Sequence, residues 1–150
     1  MKEEQLPVLN LPAFEFSVRE QGQSRQIYDI VRKRFIALTP EEWVRQNFMR
    51  YMIDFLRYPA SLLSVERMVK VNGLSQRADI VVYNREGKPW LIVECKAPSV
   101  ALSQDTFLQA ARYNQDLSLP YFVLTNGLEH ICLYFNGTQF EFLAALPVFQ

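Results

Sequence analysis

The clearest pattern in the chain is a pair of apolar, β-branched stretches on either side of a short polar segment. The stretches cover residues 78–83 and 89–95, and residues 85–88 between them read Arg-Glu-Gly-Lys. This alternation predicts two antiparallel strands joined by a hairpin turn. The centre of the chain is therefore expected to form the middle of a β-sheet.

Two helices are predicted on either side of this hairpin. In the first, Thr39 is the expected N-cap, Pro40 takes the first helical position and Glu42 the third, which is typical of a capping box. An apolar stripe then continues until Pro59 ends the helix. The second helix is predicted over residues 103–117, where apolar residues again follow a helical spacing.

The remaining apolar stretches predict further strands. Residues 121–125 are apolar on both faces and follow a helix, which favours a buried strand reached by a parallel crossover. Residues 14–30 alternate and predict a hairpin, within an N-terminal extension that covers residues 1–36. Glu66 lies in another predicted strand and is expected to be solvated. The other predicted strands are 65–71, 131–135 and 139–142, and Asn-Gly turns lie at 126–127 and 136–137.

The composition fits one folded domain over residues 1–150. The chain is 49% hydrophobic and has two cysteines, Cys95 and Cys132, both in predicted core strands and expected to be buried thiols. No apolar stretch is long enough to cross a bilayer and no cleavable leader is recognisable, so we expect a cytoplasmic protein. Sixteen basic and sixteen acidic residues balance, which argues against a large phosphate-binding surface.

Charged residues interrupt the two central strands. If Asn84 pairs with Pro89, counting back along the ladder places Asp79 opposite Glu94. Directly opposed residues hold their β-carbons about 5 Å apart, where like charges are destabilising. A chain with both acids at these positions is therefore expected to place a cation between them.

Divalent metal chemistry suits such a site. Carboxylates are hard oxygen ligands and favour Mg²⁺ or Mn²⁺ over Zn²⁺. Since side chains alternate along a strand, Lys96 is expected on the same face as Glu94, with Cys95 pointing into the packed side. A metal ion beside an ammonium group can polarise a phosphate and lower the pKa of a bound water, which is the chemistry of phosphodiester hydrolysis.

These residues resemble the Asp…Glu-x-Lys core of the PD-(D/E)XK nuclease superfamily, with Ala78 where a proline is common. The second predicted helix adds Gln109 and Tyr113, four residues apart and so on one helix face. This pair resembles the Gln-x-x-x-Tyr element of the RecB-like and type I restriction branches, although an amphipathic helix with a buried tyrosine is the plainer alternative. Together with residues 39–46, 77–79, 93–98 and 124–127, the motifs resemble the N-terminal nuclease domain of the type I restriction enzyme R subunit (HsdR), over about residues 27–135.

The resemblance implies an α/β, restriction-endonuclease-like fold with a mixed β-sheet flanked by α-helices, and Mg²⁺- or Mn²⁺-dependent cleavage of DNA. It implies metal ligation by Asp79, Glu94 and the backbone carbonyl of Cys95, a catalytic role for Lys96, and supporting roles for Gln109 and Tyr113. It also implies that an acid of the first helix, best matched by Glu42, reaches the metal. A purely capping role for Glu42 explains the sequence equally well.

Two functions stay open at this point. One is a metal-dependent deoxyribonuclease, and the other is a non-catalytic or partner-dependent module that binds nucleic acid or protein. The sequence has no Gly-x-x-x-x-Gly-Lys-Ser/Thr motif for a motor, so DNA restriction would need a helicase, translocase or restriction-modification subunit as partner. The acid-acid-lysine set favours the nuclease, and the balanced charge favours the binding module.

Overall fold

In the computed structural model, residues 6–71, 74–105, 107–108 and 119–149 are described. They form two sheets, one α-helix at 40–50 and the helical residues 104–105 and 107–108. The small sheet contains β1 (Val18–Gln21), β2 (Ser24–Asp29) and β3 (Arg34–Ala37), all antiparallel. The helix α1 (Pro40–Arg50) follows, then a π-helical turn (Tyr51–Phe55) and a short 3₁₀ turn (Ala60–Leu62).

The large sheet has six strands in sequence order. They are β4 (Leu63–Val71), β5 (Leu74–Tyr83), β6 (Pro89–Cys95), β7 (Tyr121–Thr125), β8 (His130–Phe135) and β9 (Phe140–Leu143). Only β6 and β7 run parallel, which confirms the predicted crossover after the second helix. The mixed sheet with a helix on it confirms the predicted α/β class.

The core lies on both faces of this sheet. On one face α1 places Val44, Phe48 and Met49 against strand residues that include Ile80 and Val93. On the other face the buried strand residues are Val81, Ile92, Phe122, Leu124 and Leu133, and Phe107 packs against them. Residues 104–105 and 107–108 are helical, as the second predicted helix requires. The rest of that prediction, including Gln109 and Tyr113, lies outside the described residues.

Three local predictions differ from the structure. The predicted N-terminal hairpin over residues 14–30 is present as the antiparallel pair β1–β2, but its first strand begins only at Val18 and a third strand, β3, extends the sheet. The first helix is α-helical only to Arg50, because the next five residues change to π-helical bonding before the chain reaches Pro59.

The third difference is the hairpin turn. Pro89 pairs with Tyr83 rather than with Asn84, and the register shifts between Val82 and Tyr83. Asn84 is occupied by the turn itself, since its side-chain oxygen accepts hydrogen bonds from two backbone N–H groups. From Val82 and Leu91 onward the ladder has the predicted register.

Candidate active site

Asp79 lies where strand β5 separates from strand β6. The pairing of these strands ends at Ile80 and Val93. Lys96 N–H donates to Thr125 of β7, so the N–H of Cys95 points the other way, towards β5. There it donates to Asp79 Oδ2 at 2.7 Å. The aspartate side chain thus replaces the backbone acceptor at the fork, which fixes its carboxylate beside the end of β6.

Glu94 and Lys96 form an ion pair at this end of β6. Lys96 Nζ lies 3.1 Å from Glu94 Oε1, and both side chains are partly exposed. Glu94 and Lys96 lie on the same side of the chain, as the alternation of side chains along a strand predicts. The β5–β6 ladder stops one residue before Asp79 and Glu94, so the predicted opposition of these two acids is not part of the paired register.

The charge state of Lys96 follows from its neighbours. Desolvation alone would lower the pKa of Lys96, but the hydrogen bond and charge of Glu94 outweigh it, followed by the charges of Asp79 and Glu41. The pKa of Lys96 is therefore raised, and the side chain is an ammonium group at neutral pH. Lys96 therefore lies among the negative charges of Glu94, Asp79 and Glu41.

Arg45 of helix α1 connects the helix to Asp79. Its Nη2 donates to Asp79 Oδ1 at 3.2 Å and to Glu41 Oε1 at 3.1 Å, and its Nη1 donates to Glu42 Oε1 at 2.8 Å. Glu66 lies 3.6 Å from Nη1. The Arg45 side chain is only 5% exposed, and its Nε has no hydrogen-bond partner among the described residues. Because the Arg45 guanidinium is buried and pairs with several carboxylates, it holds the Asp79 carboxylate in place.

Glu42 and Glu41 have different surroundings. The backbone N–H of Glu42 donates to Thr39 Oγ1 at 3.0 Å, so the predicted N-cap is confirmed. The Glu42 carboxylate is buried and accepts hydrogen bonds from Arg32, Arg45 and Gln46. Both oxygens of the Glu42 carboxylate are therefore engaged in a buried hydrogen-bond network.

Glu41 is the helix acid on the side of Asp79. It is 48% exposed and pairs with Arg45. Burial raises the pKa of Glu41, and the charge of Asp79 adds to the effect. Nη2 of Arg45 contacts both Glu41 and Asp79, so these two acids share one cation.

The buried network extends into the small sheet. Asp29, at the end of β2, is fully buried and accepts hydrogen bonds from Arg32 Nε at 2.6 Å and Gln46 Nε2 at 3.0 Å. Arg32 also donates to Glu42. Desolvation would raise the pKa of Asp29, but hydrogen bonds from the backbone and side chain of Arg32, and then from Gln46, outweigh it and lower the pKa.

Glu66 was expected to be a solvated strand residue, and it is exposed in β4. Its carboxylate also lies within 3.0–3.6 Å of the guanidinium groups of Arg32, Arg45 and Arg77. Its backbone has φ of 51°, between the ladder pairs of Val65 and Arg67. The irregular backbone turns the acid towards the network. The sequence did contain a signal for this buried polar cluster. Polar residues occupy positions 42, 45 and 46, which share one face of the predicted helix.

The cysteines behave as predicted. Cys95 and Cys132 are free and buried. Burial raises the pKa of Cys95 well above its ordinary value, and the charge of Asp79 adds to the effect, so the thiol stays protonated. Cys95 therefore contributes to the site through its backbone. No helix within the described ranges is both long and apolar enough to cross a membrane.

Comparisons with known proteins agree with the motifs. Residues 40–147 match the family described as "Type I restriction enzyme R protein N terminus (HSDR_N)". Among solved structures, the chain is similar to a fragment of a putative HsdR subunit of a type I restriction enzyme from Vibrio vulnificus YJ016, with 23% identity and a TM-score of 0.41; the match covers 57% of this chain and 19% of that one.

A second similar structure is a putative nuclease belonging to DUF820 from Anabaena variabilis ATCC 29413, with 13% identity, a TM-score of 0.49, and coverage of 87% of this chain and 84% of that one. A search of curated proteins gives no match. The present chain spans only a fifth of the length of the HsdR chain. Since the family match covers residues 40–147, well over half of the sequence, the chain belongs to the family of type I restriction enzyme R protein N-terminal domains.

Proposed function

We propose that this chain is a Mg²⁺- or Mn²⁺-dependent deoxyribonuclease domain that hydrolyses phosphodiester bonds beside a translocase or restriction-modification subunit. The observation that carries the proposal is the end of β6, where Asp79 lies at the strand fork and the Glu94–Lys96 ion pair lies beside it. Family membership supports the same activity class.

The residues at this site fit a hard divalent cation in their chemistry. Asp79 and Glu94 offer carboxylates, and Cys95, the residue after Glu94, offers a backbone carbonyl. Within the described part of the chain no three His, Cys, Asp or Glu side chains are gathered as a metal centre. Mg²⁺ does not need such a centre, because it usually takes one or two carboxylates and completes its shell with water and substrate phosphate.

Charge balance also supports a divalent cation. The connected network contains six acids, Asp29, Glu41, Glu42, Glu66, Asp79 and Glu94, and four cations, Arg32, Arg45, Arg77 and Lys96. It therefore carries an excess of two negative charges. When bound, a divalent ion would offset this excess, polarise the phosphate and lower the pKa of a bound water.

The chain's own residues then have separate tasks. Asp79 and Glu94 would hold the ion, and Arg45 would keep the Asp79 carboxylate in place. Lys96 is an ammonium group with a raised pKa, so it would stabilise negative charge on the phosphate oxygens or orient the water rather than take up a proton. Gln109 and Tyr113 would support the site from the second helix.

The second candidate function is a binding module of the same fold without turnover. One observation favours it. Asp79 already pairs with Arg45, and Glu94 already pairs with Lys96, so each acid has a protein cation as a partner.

Metal binding is the first test. A ligand that binds only the folded state at ten times its Kd stabilises the protein by about 1.4 kcal/mol. For a chain of this size that raises the Tm by roughly 3–6 °C. We expect such a shift with millimolar Mg²⁺ or Mn²⁺, and no shift in Asp79→Asn. Asp54→Asn, which alters an exposed acid paired with Arg50, is the matched control and should keep the shift.

Cleavage is the second test. Supercoiled, linear and single-stranded DNA are incubated with Mg²⁺, Mn²⁺ or chelator above pH 7, with and without a helicase partner. We expect metal-dependent cleavage by the wild type and none by Lys96→Ala, which keeps both acids and the metal-induced Tm shift. Lys88→Ala, in the exposed β5–β6 turn, should cleave normally. A wild-type protein that shows neither a metal-induced shift nor cleavage would establish the binding module instead.

A further inference from the structure

The hairpin of β4 and β5 extends past the rest of the large sheet. The two strands pair from Leu63 and Val82 as far as Val71 and Leu74. Strand β6 accompanies β5 only as far as Ile80. Five residues of β5, from Leu74 to Ala78, therefore pair with β4 alone, which corresponds to about 17 Å of two-stranded ribbon. We name the described residues 66–71 and 74–79 the hairpin arm.

The hairpin arm is basic in a chain whose charges balance. Residues 67–77 include Arg67, Lys70 and Arg77 and no acidic residue. The side chain of Arg77 is 67% exposed, and Arg67 is exposed as well. In the ladder Arg67 is opposite Ala78 and Arg77 is opposite Met68, so the two arginines lie on opposite faces of the ribbon.

The positive charge of Arg77 is only partly compensated inside the protein. Its one ion-pair partner among the described residues is Glu66, at 3.0 Å. Glu66 also pairs with Arg32 and Arg45, which are buried and cannot turn to solvent. The Glu66 carboxylate is thus shared among three guanidinium groups. If exposed Arg77 binds an anion instead, Glu66 still has Arg32 and Arg45 as partners.

We propose that the hairpin arm binds duplex DNA through its phosphates, and this inference rests on the proposed nuclease function. A two-stranded ribbon fits the major groove of B-DNA, and arginines on both ribbon faces can reach phosphates on both sides of the groove. The base of the arm is Asp79, so DNA held by the arm lies beside the candidate active site. The basic residues of the arm can bind DNA phosphates locally, although the formal net charge of the whole chain is zero.

The test is binding of a fluorescent duplex of mixed sequence, measured by anisotropy in chelator at several salt concentrations. Each lost phosphate contact lowers the slope of log K against log salt by about 0.9. We expect the double variant Arg67→Ala/Arg77→Ala to lower the slope by about two and to weaken binding more than tenfold near 0.1 M salt. Lysine at both positions should retain most of the slope.

Arg85→Ala is the matched control, because Arg85 is an exposed arginine at the opposite end of β5, in the β5–β6 turn. It should leave the slope unchanged, and thermal unfolding should show that every variant is folded. The proposal is overturned if the double variant binds duplex like the wild type, if Arg85→Ala weakens binding as much, or if the arm matters only for single-stranded nucleic acid. Binding that depends on the arm without any metal-dependent cleavage would refute the nuclease function and leave the arm's role standing.

Discussion

Replacing Glu42 with glutamine should destabilise the protein far more than the same change at its neighbour Glu41. The Glu42 carboxylate is buried and accepts from Arg32 at 2.9 Å, from Arg45 at 2.8 Å and from Gln46 at 3.3 Å. Removing one partner of a buried ion pair costs about 3–5 kcal/mol, because the remaining charge stays buried without compensation.

The lower end of that range applies to Glu42→Gln. The glutamine keeps one oxygen that can accept, and the two arginines keep other carboxylates, Asp29 for Arg32 and Asp79 for Arg45. The N-cap hydrogen bond joins the backbone N–H of Glu42 to the Thr39 hydroxyl, so a change of the Glu42 side chain leaves it in place. We expect a loss of about 3 kcal/mol at pH 7, which lowers the Tm by roughly 6–12 °C for a chain of this size.

Glu41→Gln is the control. Glu41 is 48% exposed, and exposed ion pairs contribute about 0–1 kcal/mol. Burial and the charge of Asp79 raise the pKa of Glu41, so its ionised form is disfavoured in the folded protein. The stability linked to its protonation is present below the unfolded pKa and lost as the pH rises through the folded pKa. A neutral glutamine at pH 7 should therefore leave stability close to that of the wild type.

The assay is urea unfolding followed by tryptophan fluorescence, with the m-value compared among variants. Equal stability of the two variants would refute the reasoning that Glu42 is a structural acid. The metal-induced Tm shift then separates their roles, since it should persist in Glu42→Gln and weaken in Glu41→Gln. The reverse result would show that Glu42 is the helix acid that reaches the metal, as the resemblance implies.

Three further outcomes test other contacts. Thr39→Ala should cost about 1 kcal/mol in urea unfolding, because it removes the N-cap of α1, while Thr39→Ser should not. Gly127→Ala should be more destabilising than Gly137→Ala by calorimetry; both have positive φ, but only at Gly127 would a new Cβ lie 2.7 Å from Leu9. The lowered pKa of Asp29 stabilises the fold above about pH 4, and this contribution is lost on acidification. In Asp29→Asn, the free energy of unfolding should therefore fall less steeply as the pH is lowered.

The sequence alone was sufficient for the parts of this protein that depend on local pattern. Period-two alternation and apolar runs located the central strands, and the Thr39-Pro40 start of α1 followed from capping chemistry. Helix-to-strand order predicted the parallel pairing of β6 with β7, since two parallel neighbours require a crossover. The order of several spaced motifs was enough to indicate the family.

Long-range pairing of charges was decided by the tertiary structure. Counting along the ladder predicted that Asp79 lies opposite Glu94. It could not predict that Arg45 and the Cys95 N–H bind Asp79, or that Lys96 pairs with Glu94. The choice between Glu41 and Glu42 likewise depends on how α1 rotates against the sheet. Glu66 is exposed, as expected, but its three arginine partners come from elements far apart in sequence. Local pattern determines which residues share a strand face, whereas partners far apart in sequence are set by the packing of whole elements against one another.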